Sequence, residues 1–189
     1  MRLRNHRASL AALLLISAAA SASAAAVAVN GLLARPLSHH ELIDVCVDAE
    51  DVASGRHADN VAAAVLGGLV CVQSCDPLRV VSLPSPKGLY FALASPALVV
   101  QTRSARMVVP ETVSRQIAVR QMGRLGTFIS ACYSGDLAAL ADTMVDEIAA
   151  QHRYALIPGA EQVVQAARQE GALGASLSGS GPTVFALCD

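Results

Sequence analysis

The sequence is poor in aromatic residues and in charge of either sign. Tryptophan is absent, Phe, Tyr and Trp together make up 3% of the 189 residues, and charged residues make up 15%. A chain of this length buries a sizeable core as one domain or two small ones. Because 53% of the residues are hydrophobic, that core is expected to consist of Ala, Val and Leu, as in compact α/β or α+β enzymes. With a formal net charge of −1 and no long basic run, nothing favours nucleic acid as a partner.

Cysteine is present, but in no pattern that specifies a disulfide framework or a metal site. The five cysteines are odd in number, scattered, and mostly placed in apolar runs. Cys71 and Cys75 are separated by three residues, but no second pair of Cys or His completes a zinc set. We interpret them as reduced structural thiols of a cytosolic protein.

The N-terminal region has two interpretations. A basic start, Met1–Arg7, followed by the apolar run Ala8–Ala20 and small residues, is typical of a secretory signal. The same Ala-rich run continues without a break and equally predicts one long buried helix over residues 8–34. Serines such as Ser17 and Ser21 make the run too weakly hydrophobic to predict a membrane span.

A second helix is predicted by a capping box, Ser38 with Glu41 three residues later, and extends to about Ala53. Acidic residues crowd its last turns, where carboxylates oppose the helix dipole. This placement is explained either by a cation or cationic partner or by a solvated surface cluster, and both stay open. The residues concerned are Asp48, Glu50 and Asp51.

The segment from residue 54 to residue 68 concentrates polar side chains in front of a short apolar helix. Asp59 or Asn60 is expected to cap that helix, residues 60–66, by accepting from its first backbone N–H groups. Gly67-Gly68 then lets the backbone turn into a strand. A capped core helix and a binding site are both consistent with this segment. Its polar residues are Ser54, His57, Asp59 and Asn60.

The rest of the chain alternates strands and helices, which predicts a layered α+β fold. Strands are expected at 69–73, 78–83, 89–94, 173–178 and 183–188. Helices are expected at 112–133, at 136–151 and from about 156 to 170. A polar connector with Thr102, Arg103 and Arg106 lies between the third strand and the first of these helices. We place a domain boundary between residues 75 and 76, at the start of a stretch that contains Pro and Gly.

A second candidate site is the run of small residues from Gly174 to Pro182. Small residues let the backbone approach a ligand closely, and successive N–H groups form an anion-binding nest. A tight β-turn uses the same residues, so the run alone does not decide between the two.

Taken together, these motifs resemble the homoserine kinases of the GHMP small-molecule kinase superfamily. The resemblance is carried by His57-Ala-Asp-Asn60 before Gly-Gly, Thr102-x-x-x-Arg106, Ile157-Pro-Gly159 and the Ser178–Thr183 turn. It extends from about Ser17 to the last residue. It implies a partial N-terminal, ATP-binding domain over residues 1–75, followed by a ferredoxin-like α+β domain over residues 76–189 that lacks its last elements.

The resemblance also implies an activity, namely transfer of the γ-phosphoryl group of ATP to the hydroxyl of L-homoserine in threonine biosynthesis. ATP and Mg²⁺ are the implied cofactors, with Ser17 at the nucleotide and Glu50 at the metal. The cytoplasm is the implied location and a homodimer the implied assembly, without nucleic acid or membrane as partner. No catalytic base is assigned. The substrate-binding residues implied are His57, Asp59, Asn60, Arg106, Arg153, Ser178, Gly179, Ser180 and Gly181.

The sequence departs from the family at the phosphate-binding loop. The family has Gly-Leu-Gly-Ser-Ser-Ala before its Ala-rich helix, a loop that cradles phosphates at the helix N-terminus. Here Leu13-Leu-Leu-Ile16 stands in its place and Ala18 replaces the second serine. We therefore expect an incomplete, inactive homoserine kinase whose signal-like start is accidental. The alternatives are a non-catalytic GHMP-type binding protein, another GHMP kinase, and a secreted Ala-rich protein.

Overall fold

The structure is a computed structural model that describes residues 18–189, apart from the side chains of residues 18–20 and 52–54. Residue contacts divide the chain into unit 1, Met1–Leu83, and unit 2, Pro84–Asp189. Each unit has its own hydrophobic core. The domain boundary that we place between residues 75 and 76 from the sequence stays a prediction.

Within residues 18–83, unit 1 contains three helices and a β-hairpin. The strands of the hairpin are antiparallel, with Leu69 opposite Leu83 and Cys75 opposite Leu78. Helices α2 and α3 pack on this hairpin through small and branched side chains, as expected for a chain with few aromatic residues. The elements are α1 (Ala18–Asn30), α2 (His39–Ser54), α3 (Asp59–Leu66), β1 (Leu69–Cys75) and β2 (Leu78–Leu83). The core residues are Ile43, Cys46, Val47, Ala58, Val61, Ala62 and Leu78.

The predicted capping box at the start of α2 is confirmed. The Ser38 hydroxyl oxygen accepts from the Glu41 N–H at 3.3 Å, and the Ser38 N–H donates to Glu41 Oε2 at 2.8 Å. These two bonds satisfy backbone groups that the first helical turn leaves without partners. The helix ends before Gly55, close to the predicted end.

The predicted cap of α3 is wrong. The residue at the N-cap position is Ala58, and no side chain there accepts from the first turn of α3. Ala58 is only 1% exposed because it belongs to the core, so burial rather than capping fixes the start of the helix. Asp59 is the first helical residue, where its carboxylate is favoured by the helix dipole. The predicted turn at Gly67-Gly68 is confirmed, with φ of 71° and 65°.

Unit 2 contains a three-stranded antiparallel sheet of order β3–β5–β4, and helix α8 packs on β4 and β5. This arrangement confirms the α+β fold class. Among residues 18–189, no helix is long and apolar enough to cross a membrane. The elements are β3 (Tyr90–Ala94), α4 (Thr102–Met107), α5 (Arg115–Ser134), α6 (Leu137–Asp142), α7 (Ala150–Arg153), a 3₁₀ turn (Tyr154–Leu156), α8 (Ala160–Gln169), β4 (Gly174–Leu177) and β5 (Val184–Cys188).

One prediction for unit 2 is wrong. The single helix expected over 136–151 is interrupted, because α6 ends at Asp142 and α7 begins only at Ala150. The Asp146 carboxylate accepts from the N–H groups of Ile148, Ala149 and Ala150 at 2.8 Å, 2.8 Å and 3.1 Å, which starts a new helix there. The polar connector between β3 and α5 contains α4, whose Ala105 is fully buried.

Candidate functional site

In unit 1, the predicted site residues lie on the linker between α2 and α3 (residues 55–58) and on the first turn of α3. His57 is half-buried, and its Nδ1 forms a hydrogen bond with the Gly55 carbonyl oxygen. Because a carbonyl only accepts, Nδ1 must carry the proton, which leaves Nε2 of the neutral ring as an acceptor. Asp59 and Asn60 are exposed. The linker therefore presents an oriented imidazole beside a carboxylate and an amide.

Arg56, which the sequence analysis did not identify, fixes this linker. Its Nη2 lies 3.1 Å from Asp44 Oδ1, its Nη1 pairs with Asp48, and its Nε donates to the Cys75 carbonyl oxygen at 3.1 Å. The hydrogen bond with Asp48 raises the pKa of the Arg56 guanidinium. Part of the acidic cluster on α2 is thus neutralised by the chain's own cation. The available signal was the spacing of Asp44 and Asp48, which places both carboxylates on one helical face.

The predicted metal ligand, Glu50, is half-buried on α2. Within residues 18–189, the His, Cys, Asp and Glu side chains form no group of three or more that could hold a metal ion. Mg²⁺ needs no such group when one or two carboxylates and substrate phosphates bind it. The role of Glu50 stays a prediction. The nucleotide residue Ser17 and the segment 13–16 lie outside the described residues.

In unit 2, Arg153 joins α4 to the glycine-serine loop (residues 178–182). Its Nε donates to the Ala105 carbonyl oxygen at 3.2 Å, and its Nη1 donates to the Gly179 carbonyl oxygen at 2.9 Å. These bonds use two of the five guanidinium N–H groups. Arg106 follows Ala105 directly and is exposed in the last turn of α4. The structure therefore brings Arg153, the segment of Arg106 and the glycine-serine loop into one region of unit 2.

The glycine-serine loop is a tight turn between β4 and β5. The Ser178 N–H donates to the Thr183 carbonyl oxygen at 2.9 Å, and the Gly181 N–H donates to the Ser178 carbonyl oxygen at 3.0 Å. A Cβ atom on Gly181, where φ is +79°, would lie 2.3 Å from Ile157 Cδ1. No larger residue fits at that position without displacing Ile157. Ser178 and Gly179 are exposed, whereas Ser180 is half-buried.

A mainly apolar cavity of about 400 Å³ lies beside this loop. The Ile157-Pro-Gly159 motif and Pro182 form part of its wall, and Ser95 also lines it. The Ser95 hydroxyl is 2.8 Å from the Thr183 hydroxyl, and this bond connects the end of β3 to the start of β5. No feature of the sequence pattern distinguishes Ser95, so sequence reasoning missed this contact.

Glu147 anchors the segment that precedes Arg153. Its carboxylate accepts from the guanidinium groups of Arg120 and Arg124 on α5. The hydrogen bonds from these two arginines lower the pKa of Glu147 from 4.5 to about 2. A doubly paired carboxylate therefore connects α5 to the segment between α6 and α7.

Two family models match the chain. The family model for the N-terminal domain of GHMP kinases matches residues 15–68, and the model for the C-terminal part of GHMP kinases matches residues 128–189. The first match ends with the α2–α3 linker, α3 and the glycine pair, and the second includes Arg153 and the glycine-serine loop. Both candidate regions thus lie mostly inside segments that the family models recognise.

Individual relatives give the same result. The homoserine kinase of Chlorobium phaeobacteroides (strain BS1) is 43% identical over 85% of this chain and 51% of that protein. The homoserine kinase of Arabidopsis thaliana is 38% identical over 86% of this chain and 45% of that protein. The crystal structure of homoserine kinase from Cytophaga hutchinsonii matches with a TM-score of 0.86 and 39% identity, over 92% of this chain and 56% of that one. The chain spans about half the length of the curated relatives that it matches.

Proposed function

The chain belongs to the GHMP kinase family, and from this premise we propose that it forms part of a homoserine kinase. The proposed reaction transfers the γ-phosphoryl group of ATP to the side-chain hydroxyl of L-homoserine and forms O-phosphohomoserine. The observation that supports this substrate is the 43% identity to a homoserine kinase over 85% of the chain. The His57-Ala-Asp-Asn60 segment, which carries part of the resemblance to homoserine kinases, supports the same substrate.

Arg153 and Arg106 are proposed to bind the carboxylate of homoserine. A guanidinium presents a planar fork that matches a carboxylate, and Arg153 keeps N–H groups beyond the two that bind main-chain carbonyls. Its two main-chain contacts fix the orientation of the fork before a substrate arrives. The glycine-serine loop is proposed to close the substrate side of the site through its backbone N–H groups.

His57, Asp59 and Asn60 are proposed to form the wall beside the amino-acid substrate. Nε2 of the neutral His57 ring is an acceptor, and the Asp59 carboxylate is also an acceptor, so both suit the ammonium group or the hydroxyl of homoserine. The Asn60 amide supplies both a donor and an acceptor. Phosphoryl transfer depends mainly on such positioning and on charge neutralisation, and no residue of the chain is assigned as a base.

Glu50 is proposed to help hold Mg²⁺. A carboxylate is a hard oxygen ligand of the kind that Mg²⁺ prefers, and its half-buried position on α2 limits competition from water. When bound, the ion would neutralise charge on the ATP phosphates. We also propose a cytoplasmic location and a role in threonine biosynthesis. The location is consistent with five cysteines that are all free.

The reaction is tested by incubating the purified chain with ATP, Mg²⁺ and L-homoserine and detecting the phosphate ester by ³¹P NMR. Ester formation with homoserine, and none when homoserine is replaced by mevalonate or L-serine, would support the proposed reaction and contradict the inactivity expected from the altered phosphate-binding loop. His57→Asn is expected to reduce the rate, whereas the exposed Arg79→Gln on β2 in the same unit serves as the matched control.

Calorimetry with homoserine and with ATP complements the assay. Homoserine binding without ATP binding would favour a non-catalytic binding protein and contradict the kinase proposal. Turnover of mevalonate in preference to homoserine would contradict the substrate. Failure of the chain both to bind homoserine and to phosphorylate it would contradict the proposal for this chain as a whole.

A further inference from the structure

We propose that Arg56 is a positioning residue that holds the α2–α3 linker, and with it His57, in one orientation. The significance of that orientation rests on the function proposed above for His57, Asp59 and Asn60. Arg56 itself is assigned no contact with substrate.

The geometry that supports this role is a connection among three segments. The Arg56 guanidinium binds Asp44 at 3.1 Å and also pairs with Asp48, both on α2. Its Nε donates to the carbonyl oxygen of Cys75 at 3.1 Å, at the end of β1. One side chain thus attaches the linker both to the preceding helix and to the hairpin. The Arg56 side chain remains 31% exposed, so the attachment lies at the surface of unit 1.

Only the N-terminal end of the linker needs such an attachment. At its C-terminal end Ala58 is 1% exposed and is fixed by the core. At its N-terminal end Gly55 has φ of 90°, a conformation that only glycine adopts readily. A glycine in that position leaves the chain free to pivot unless a neighbouring residue is restrained. Arg56 is that neighbour, and it restrains the segment that carries His57.

Arginine suits this position better than lysine does. The two carboxylates are four residues apart on α2, and the separate nitrogen atoms of a guanidinium reach both while Nε still donates to a carbonyl. A lysine ammonium is a single point charge and does not reproduce this three-way arrangement. Arg56→Lys therefore keeps the charge and removes the geometry.

The experiment measures ¹⁵N order parameters of the linker amides in the wild-type chain, in Arg56→Gln and in Arg56→Lys. We expect order parameters of about 0.85 in the wild type, as for rigid backbone. In Arg56→Gln we expect order parameters below about 0.6, the range of flexible backbone. Arg56→Lys is expected to lie between them. The control is Arg79→Gln, because Arg79 is an exposed arginine of unit 1 whose side chain has no hydrogen bond or ion pair within residues 18–189, and it should leave the linker unchanged.

A second readout separates positioning from overall stability. Arg56→Gln is expected to raise KM for homoserine by roughly two- to fivefold at an unchanged melting temperature and a nearly unchanged kcat. Unchanged order parameters in the linker would overturn the inference. A loss of order spread evenly over unit 1 would also overturn it, because it would indicate a merely structural role. If the wild-type chain neither binds nor phosphorylates homoserine, the proposed function fails, and the order parameters still decide whether Arg56 holds the linker.

Discussion

The α2–α3 linker and the glycine-serine loop are both short glycine-containing segments, and an arginine binds each of them. In the linker, Arg56 binds carboxylate side chains on α2. In the loop, Arg153 binds main-chain carbonyl oxygens, one of them on Gly179. Arg56 also donates to the Cys75 carbonyl oxygen, so the difference between the two segments is that only the linker has carboxylate partners.

This difference determines which perturbations each segment resists. Carboxylates can be protonated and their attraction to arginine is screened by salt, so the linker is sensitive to the charge of its surroundings. Main-chain carbonyls do not titrate, and the loop is also packed against Ile157. The loop is therefore sensitive to volume and to lost hydrogen bonds, and less sensitive to salt.

The largest expected effect tests the packing of the loop. Gly181→Ala places a Cβ atom 2.3 Å from Ile157 Cδ1 at a residue with φ of +79°. Steric overlap and left-handed backbone together are expected to destabilise unit 2 by about 2–4 kcal/mol. Urea unfolding followed by circular dichroism measures this loss.

Two matched variants isolate the overlap from the backbone term. Gly179→Ala has φ of +56° and no atom within 4 Å of the new Cβ, so it is expected to cost only about 1 kcal/mol. Ile157→Val removes the Cδ1 atom that clashes, and Gly181→Ala should therefore be less destabilising in that background. Equal costs of Gly181→Ala in the wild type and in the Ile157→Val background would show that volume does not limit the loop.

The next effect tests the arginine of the loop. Arg153→Met keeps the length of the side chain and removes the donors to the Ala105 and Gly179 carbonyl oxygens. We expect a loss of about 1–2 kcal/mol that does not change between low and high salt, because neither acceptor is charged. Urea unfolding at two salt concentrations provides the measurement.

Arg103→Gln is the control, since Arg103 is exposed on α4 and its side chain has no hydrogen bond or ion pair within the described part of the chain. Its cost should stay below about 0.5 kcal/mol. A strong salt dependence of the Arg153→Met effect would contradict the comparison, because the loop would then depend on charge as the linker does.

Local patterns in the sequence predicted those elements whose ends are determined by neighbouring residues. The Ser38 and Glu41 capping box and the Gly67-Gly68 turn are confirmed because a cap or a positive φ depends on residues a few positions apart. The α+β class likewise followed from the order of elements along the chain. In contrast, the start of α3 depends on burial of Ala58, which no local pattern reveals.

Contacts between distant residues account for what sequence reasoning missed. The interruption after α6 is stabilised by Glu147, which pairs with arginines more than twenty residues earlier in the chain. The bonds from Arg153 to Ala105 and Gly179 span 48 and 26 residues. The motif pattern identified Arg153 and Gly179 as candidate site residues, but neither spacing nor composition indicated that they bind each other.

We expect the smallest loss of stability at neutral pH from a third group of arginine contacts. This group tests whether sensitivity to charge follows from carboxylate partners or from the unit in which the arginine lies. Glu147 lies in unit 2 but is a carboxylate, and its pKa is lowered from 4.5 to about 2 by Arg120 and Arg124. A lowered carboxyl pKa stabilises the folded chain fully above the unfolded value, and this contribution is lost as pH falls from 4.5 towards 2. The difference in free energy of unfolding between the wild type and Glu147→Gln should therefore be constant near neutral pH and decrease through that interval. Urea unfolding at each pH measures this difference.

In an Arg120→Gln, Arg124→Gln background the decrease should disappear, because the groups that lower the pKa of Glu147 are gone. A gap of equal size at pH values above and below this interval would mean that the sensitivity to charge belongs to unit 1 rather than to carboxylate partners in general.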